Sequence, residues 1–246
     1  MAARLRLDPA RESDELRAYL GDRYDHSALQ RYQDTLDEEW EACGDEGAFY
    51  RTSHAYLYNL TAFAMTGTKL PYLHELTRRI PPGARVLDYG CGIGSDGLLL
   101  IEAGYRVEFA DFDNPSTAFL RWRLERRGIS APVHDIDRDV PGDFDAAFAF
   151  DVIEHVPDAF AFLSEMEARA RLVEVNLLEP IPNDQSLHHE LPIGAILRHA
   201  AHRQLVAYRV LHGRSHLVLY RPRRGSLGAR LRGRALLAAA RTRARF

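Results

Sequence analysis

Between residues 85 and 221 the chain alternates short apolar runs of strand length with stretches of helical period, and this alternation constrains the fold more than any other feature. Residues 85–89, 106–110, 132–135, 144–150 and 171–178 read as strands; residues 96–103, 116–127 and 158–170 read as helices between or after them. Strands joined through helices run parallel with right-handed crossovers, so the pattern predicts an α/β fold built on an open, doubly wound sheet. The last two strand-like runs, 205–211 and 216–221, are separated only by His212, Gly213, Arg214 and Ser215. A crossover needs a dozen residues or more, so this pair is predicted to be an antiparallel hairpin closing one edge.

The first 80 residues carry a different pattern. Leu29, Tyr32, Leu36 and Trp40 form a stripe at helical spacing, with Ser27 and Gln30 placed as a capping box, and further helical stretches run over 53–65 and 71–79. The expected division is a helical lid or substrate region over 1–80, a nucleotide-type domain over 81–222, and an arginine-rich tail over 223–246. Of the 32 basic residues, 9 are arginines between 221 and 246, where no acid occurs, so all 35 acidic residues lie upstream. No run reaches the roughly 18 apolar residues of a membrane span, and residues 1–20 lack the apolar stretch of a secretory signal, which predicts a cytoplasmic protein. Cys43 and Cys91 are too few for a disulfide framework.

In a parallel sheet a ligand sits beyond the carboxyl ends of the strands, at the point where strand order reverses. The segment predicted there is Asp88-Tyr89-Gly90-Cys91-Gly92-Ile93-Gly94, and Asp111 ends the next strand. Alternate glycines let the backbone turn tightly and approach a ligand, the following helix offers free N–H groups, and a carboxylate at 111 can accept from both hydroxyls of a ribose. Residues 92–97 also satisfy the dinucleotide spacing G-x-G-x-x-G. Charge separates the two readings. Asp88 before the turn disfavours a pyrophosphate and favours a cofactor that carries an ammonium and a sulfonium.

Residues 86–94, 107–111 and 144–156 together resemble motif I, the acidic end of strand 2, and motif IV of class I S-adenosylmethionine-dependent methyltransferases, in the small-molecule branch that includes ubiquinone-pathway O-methyltransferases. The likeness covers about 85–221. It implies a Rossmann-like, mostly parallel seven-stranded sheet, and S-adenosyl-L-methionine as cofactor. It implies that Gly90, Gly92 and Gly94 line the methionyl end, that Asp88 orients the amino group, and that Asp111 holds the ribose, with Asp113 as its rival. Phe112 would pack on adenine, Asp135 would meet its exocyclic amine, and the Ile136 backbone its ring nitrogen. Asp151, ending the fourth strand, is counted with these cofactor residues. The aromatic cluster of Phe49, Tyr50, Tyr56, Tyr58 and Phe63 reads either as a lid, with Tyr50 and Tyr58 reaching the cofactor, or as the core of a helical layer.

Methyl transfer from a sulfonium needs alignment of the nucleophile, exclusion of water and removal of a proton where the nucleophile carries one. His155 is the first candidate base by position and by the near-neutral pKa of imidazole. His188 and His189, after the fifth strand, are the others; the alternative for His155 is a role in pinning the next helix. Asp151, Glu154 and His155, completed by His188, His189 or Glu190, have ligand-like spacing, but the plainer reading is polar residues at a helix end, and no metal is expected. The predicted partner is a small-molecule acceptor. No membrane partner is expected, and a homodimer is compatible with the basic tail. Nucleic acid is disfavoured because residues 151–154, Asp-Val-Ile-Glu, lack the Asn/Asp-Pro-Pro-aromatic motif that holds a flipped base.

Overall fold

The structure is a computed structural model that describes residues 5–179 and 188–243. The predicted loop 180–186 lies outside the described residues. Seven strands form one sheet in the order β3-β2-β1-β4-β5-β7-β6. The chain divides into two compact units, residues 1–83 with 90–140, and residues 84–89 with 141–246.

The first unit opens with helices α1 (Pro9–Leu20), α2 (His26–Gln30), α3 (Tyr32–Cys43), α4 (Glu46–Thr52), α5 (Ala55–Thr66) and α6 (Leu70–Thr77). The stripe from Leu29 to Trp40 is divided by Arg31 into two helices, and the residue that caps the first is Asp25, whose carboxylate accepts from the Ser27 N–H. The predicted capping box at Ser27 is therefore corrected. A carboxylate two residues upstream satisfies the same orphan amide. Leu16, Leu20, Ala28, Leu29, Leu57, Tyr58, Ile93 and Phe119 form the core of this layer.

In the same unit, α7 (Ser95–Glu102), β2 (Arg106–Asp111), α8 (Pro115–Arg126) and β3 (Val133–Asp135) follow the glycine turn. β2 and β3 pair in parallel, with Asp111 opposite Asp135. Asn114 caps α8 with its side chain and Thr117 returns the bond to the Asn114 N–H, a reciprocal cap that fixes where the strand ends and the helix begins.

The second unit contains β1 (Arg85–Tyr89), β4 (Ala146–Ala149), α9 (Ala159–Arg169), β5 (Val173–Leu178), α10 (Ile193–His202), β6 (Gln204–Leu211), β7 (Ser215–Arg221) and α11 (Leu227–Arg243). β1, β4 and β5 are parallel and buried on both faces, with Asp88, Glu174 and Asn176 as buried polar residues among their apolar ones. β7 runs antiparallel between β5 and β6, as the short connection requires. Three residues, 212–214, join β6 to β7, and His212 and Gly213 both take left-handed backbone, at φ 51° and 76°. No described helix is long and apolar enough to cross a membrane.

Candidate active site

The turn at 90–94 is held from β2. The N–H groups of Gly90 and Cys91 donate to the Ala110 carbonyl at 2.8 and 3.2 Å, and the Gly94 N–H donates to the Cys91 carbonyl at 2.8 Å. Gly90, Gly92 and Gly94 have φ of 79°, 52° and 73°, a region that a residue with a Cβ enters at a cost of roughly 1–2 kcal/mol. Packing closes the same positions. A Cβ on Gly92 would lie 2.8 Å from Leu60 Cδ1, and one on Gly94 would lie 2.4 Å from Leu120 Cδ1.

Asp111 is the centre of the candidate groups in this unit. Its Oδ2 accepts the Gly92 N–H and its Oδ1 accepts the Phe112 N–H, each at 2.7 Å. Burial raises the pKa of this carboxyl above its ordinary value, against the opposing pull of the two amides. A carboxylate oxygen accepts more than one hydrogen bond, so both oxygens retain capacity toward a pair of hydroxyls. Asp113, the rival for the ribose, is exposed and pairs with Arg121 at 2.8 Å.

Around Asp111, three groups expected to meet the base already have partners. The Ile136 N–H donates to the Asp111 carbonyl at 3.0 Å as β2 and β3 pair, so the amide expected to meet a ring nitrogen is already engaged. Asp135 accepts from the Asp137 N–H at 3.1 Å and pairs with Arg138 at 3.3 Å. One face of Phe112 is covered by the Arg51 guanidinium, 4.0 Å from the ring centroid, with Arg51 also donating to Asp137. The sequence carries no local sign of this contact, since Arg51 and Phe112 lie on separate elements.

The two tyrosines differ. The Tyr58 hydroxyl accepts from the Asp25 N–H at 2.9 Å and donates to the Arg23 carbonyl at 3.4 Å, and its ring belongs to the helical core. Tyr58 therefore follows the core alternative rather than the lid. Tyr50 stands half-buried in an edge-to-face aromatic group with Phe49 and Tyr56, and its carbonyl accepts from Asn114 Nδ2 at 3.0 Å. An open cleft lies beside the turn, lined by residues that include Leu60, Phe63, Lys69, Cys91, Ser95 and Asp96. Lys69 and Asp96 are 3.7 Å apart on its wall.

The second unit holds the other candidates. Asp88 is buried in β1, directly opposite Phe148 of β4. Asp151, just past β4, has left-handed backbone at φ 56° and is locked by a reciprocal pair of bonds to Asn176 of β5: its N–H donates to Asn176 Oδ1 at 2.7 Å, and Asn176 Nδ2 donates to its carboxylate at 2.6 Å. Strain of this kind in a non-glycine residue persists only where its surroundings enforce it. Asn176 is fully buried and was not among the sequence candidates. Only the pairing of β5 beside β4 brings it to Asp151.

His155 and His188 meet, with ring centroids 4.7 Å apart, and the His189 N–H donates to the Glu154 carbonyl at 2.7 Å. Glu154, His155 and His188 each present a ligand atom within 4.8 Å of the others, so this trio could hold a divalent cation. Asp151 is not part of that group. His199 pairs with Glu167 and His216 bridges Tyr208 and Glu179, at 2.7 and 2.8 Å, which accounts for both as structural.

Comparison with known proteins agrees with this architecture. A family model described as a methyltransferase domain matches residues 62–212. The ubiquinone biosynthesis O-methyltransferase of Xanthomonas campestris pv. campestris (strain B100) is 30% identical over 105 residues, 41% of this chain and 43% of that protein. The chain thus matches less than half the length of this curated relative. Among solved structures, the PH0226 protein of Pyrococcus horikoshii OT3 aligns with a TM-score of 0.54 at 16% identity over 71% of this chain and 95% of that one. Magnesium protoporphyrin IX methyltransferase of Synechocystis PCC 6803 with bound SAH aligns with a TM-score of 0.51 at 16% identity, over 64% and 85%. At those identities the likeness is one of fold. With the family model covering more than half of its length, the chain belongs to the class I S-adenosylmethionine-dependent methyltransferases.

Proposed function

We propose that this protein transfers a methyl group from S-adenosyl-L-methionine to an oxygen or nitrogen of a small-molecule acceptor by direct in-line displacement. The observation that carries the reading is the Asp111 carboxylate, tied by Gly92 and Phe112 N–H groups at 2.7 Å beside a turn of three left-handed glycines. Such a pair accepts ribose hydroxyls and lets backbone approach the methionyl end. Asp88 before the turn supplies negative charge for the cofactor's ammonium. In this reading Gly90, Gly92 and Gly94 line the cofactor, Asp135 faces its base, and Phe112 packs against it once Arg51 yields the ring.

His155 is the proposed proton acceptor, with His188 beside it to orient the imidazole or share the proton, and His189 follows on the same segment. The bond that forms joins the acceptor atom to the methyl carbon, and the bond that breaks joins that carbon to sulfur. S-adenosylhomocysteine leaves, and the acceptor proton passes to His155 or to water. An oxygen acceptor is also in keeping with the relative's name, ubiquinone biosynthesis O-methyltransferase.

A second reading of the same residues is favoured by the Glu154, His155 and His188 trio: a divalent cation there would hold the acceptor oxygen and lower its pKa. Calorimetry with S-adenosylhomocysteine and with NADH tests the cofactor assignment, and binding of NADH alone would end it. Turnover of candidate phenols and amines with labelled S-adenosylmethionine, before and after chelation, then distinguishes the base from the cation.

A further inference from the structure

The glycine turn has an anchor that does not come from β2. Arg123 of α8 is completely buried, and its guanidinium reaches the turn itself: Nη1 donates to the Ile93 carbonyl at 2.8 Å and to Ser95 Oγ at 2.9 Å. The remaining donors are taken by α1. Nη2 donates to both Glu12 carboxylate oxygens at 2.7 Å, and Nε donates to Glu15 Oε2 at 2.8 Å. Ser95 Oγ closes the circuit by donating to Glu12 Oε2 at 2.7 Å. Arg127 completes the charge balance, donating to both oxygens of Glu15 at 2.7 Å.

Burying four charges is a poor way to gain stability, because desolvation offsets most of the attraction between them; what such a cluster provides is register. The register in question is that of one peptide group. The carbonyl of Ile93 is drawn toward Arg123 while the N–H of Gly94, across the same peptide bond, is drawn to the Cys91 carbonyl at 2.8 Å. Those two bonds set the peptide plane that joins the turn to the N-terminus of α7. Glu12 and Glu15 lie upstream of residue 62, where the family match begins, so a segment outside the match reaches into its glycine turn.

We infer that Arg123, held by Glu12 and Glu15, is a positioning residue that keeps the turn in its cofactor-accepting shape. The inference rests on the assignment of the turn to S-adenosylmethionine. The whole 246-residue chain is used, with S-adenosylhomocysteine titrated by calorimetry and the melting temperature followed for each variant. Arg123→Lys keeps the charge but loses the planar fork, and Ser95→Ala removes one link without stranding a buried charge. Each is expected to weaken S-adenosylhomocysteine binding, by about tenfold or more for Arg123→Lys and by a few-fold for Ser95→Ala, the range for losing a charge-assisted and an ordinary hydrogen bond. Arg127→Lys, which perturbs the same cluster without touching the turn, should lower the melting temperature while leaving affinity intact.

Affinity within twofold of the parent in a folded Arg123→Lys protein overturns the inference. If that variant does not fold, unchanged affinity in Ser95→Ala overturns it instead. A parent that fails to bind S-adenosylhomocysteine at all defeats the cofactor assignment, and this inference with it, so the two failures are told apart in one series.

Discussion

Asp111 and Gly92 hold each other: the carboxylate that ends β2 accepts the amide of the middle glycine at 2.7 Å, so the residue proposed to bind ribose also braces the turn proposed to carry the methionyl group. Removing it therefore acts twice. Asp111→Asn retains an acceptor for only one of the two backbone amides and loses the charge, and S-adenosylhomocysteine affinity is expected to fall by at least about tenfold in calorimetry.

The elevated pKa of Asp111 gives that binding a pH dependence. Because burial raises the folded-state value, the carboxyl takes up its proton at a higher pH than an ordinary aspartate, near 4, would. The charged acceptor is present above the raised pKa and lost as pH falls through it. Affinity for S-adenosylhomocysteine should decline on acidification while the protein is still folded by circular dichroism. The Asp111→Asn protein should show a flatter profile over the same interval, and parallel profiles would remove Asp111 from the binding step.

The glycines of the turn are not equivalent to other left-handed glycines. Gly94→Ala meets both φ 73° and the buried Leu120 side chain, whereas Gly128→Ala meets φ 64° in open space. Chemical denaturation should report a loss of about 1–2 kcal/mol for Gly128→Ala from the backbone alone. Gly94→Ala should lose about 2–4 kcal/mol, since overpacking adds to it.

Asp151 is strained and Asn176 restrains it. Asn176→Ala removes both bonds from a fully buried position and should cost about 1–3 kcal/mol, the range for stranding buried polar partners. Asp151→Gly relieves the left-handed backbone, so its stability loss is expected to be smaller than that of Asn176→Ala, while turnover falls if the carboxylate serves the site. Equal or greater destabilisation in Asp151→Gly would show that the backbone conformation is not the constraint.

Stability should also fall in acid through two separate carboxylates. Burial alone would raise the pKa of Glu15, but Arg127 and Arg123 more than offset it and hold the value low; for Glu167 the same reversal comes from His199, Tyr220 and Arg203. Both groups contribute stability that is fully present above the ordinary glutamate range, about 4.3, and is lost as pH falls through their depressed folded values. Glu15→Gln and Glu167→Gln should each flatten the acid limb of a melting-temperature profile. Unchanged slopes would contradict the direction of these shifts.

His155→Ala is expected to lower kcat by roughly 10²- to 10⁴-fold as the loss of a general base, with the KM for S-adenosylmethionine little changed. If chelation of the parent produces the same loss and a divalent ion restores it, the cation reading of Glu154, His155 and His188 replaces the base.

The sequence by itself determined the strands, the turn and the hairpin, because each is written in local period and local backbone need. β1 occupies 85–89 as its apolar run predicts, and the short connection after β6 forces a hairpin whatever surrounds it. It also marked Asp88, Asp111 and the glycines, whose chemistry follows from adjacency along the chain. The tertiary structure alone decided which groups are spent elsewhere and which are recruited. Tyr58 gives its hydroxyl to the Asp25 and Arg23 backbone, Ile136 gives its amide to Asp111, and Arg51 lies on Phe112. Arg123 reads as an ordinary helix-surface arginine until α1 covers it with two carboxylates, and His188 becomes a neighbour of His155 only when the chain beyond β5 returns to it. The physical reason is the same in each case: a hydrogen bond or an ion pair is chosen by proximity in space, and a one-dimensional pattern records a residue's chemistry without recording the partner that will consume it.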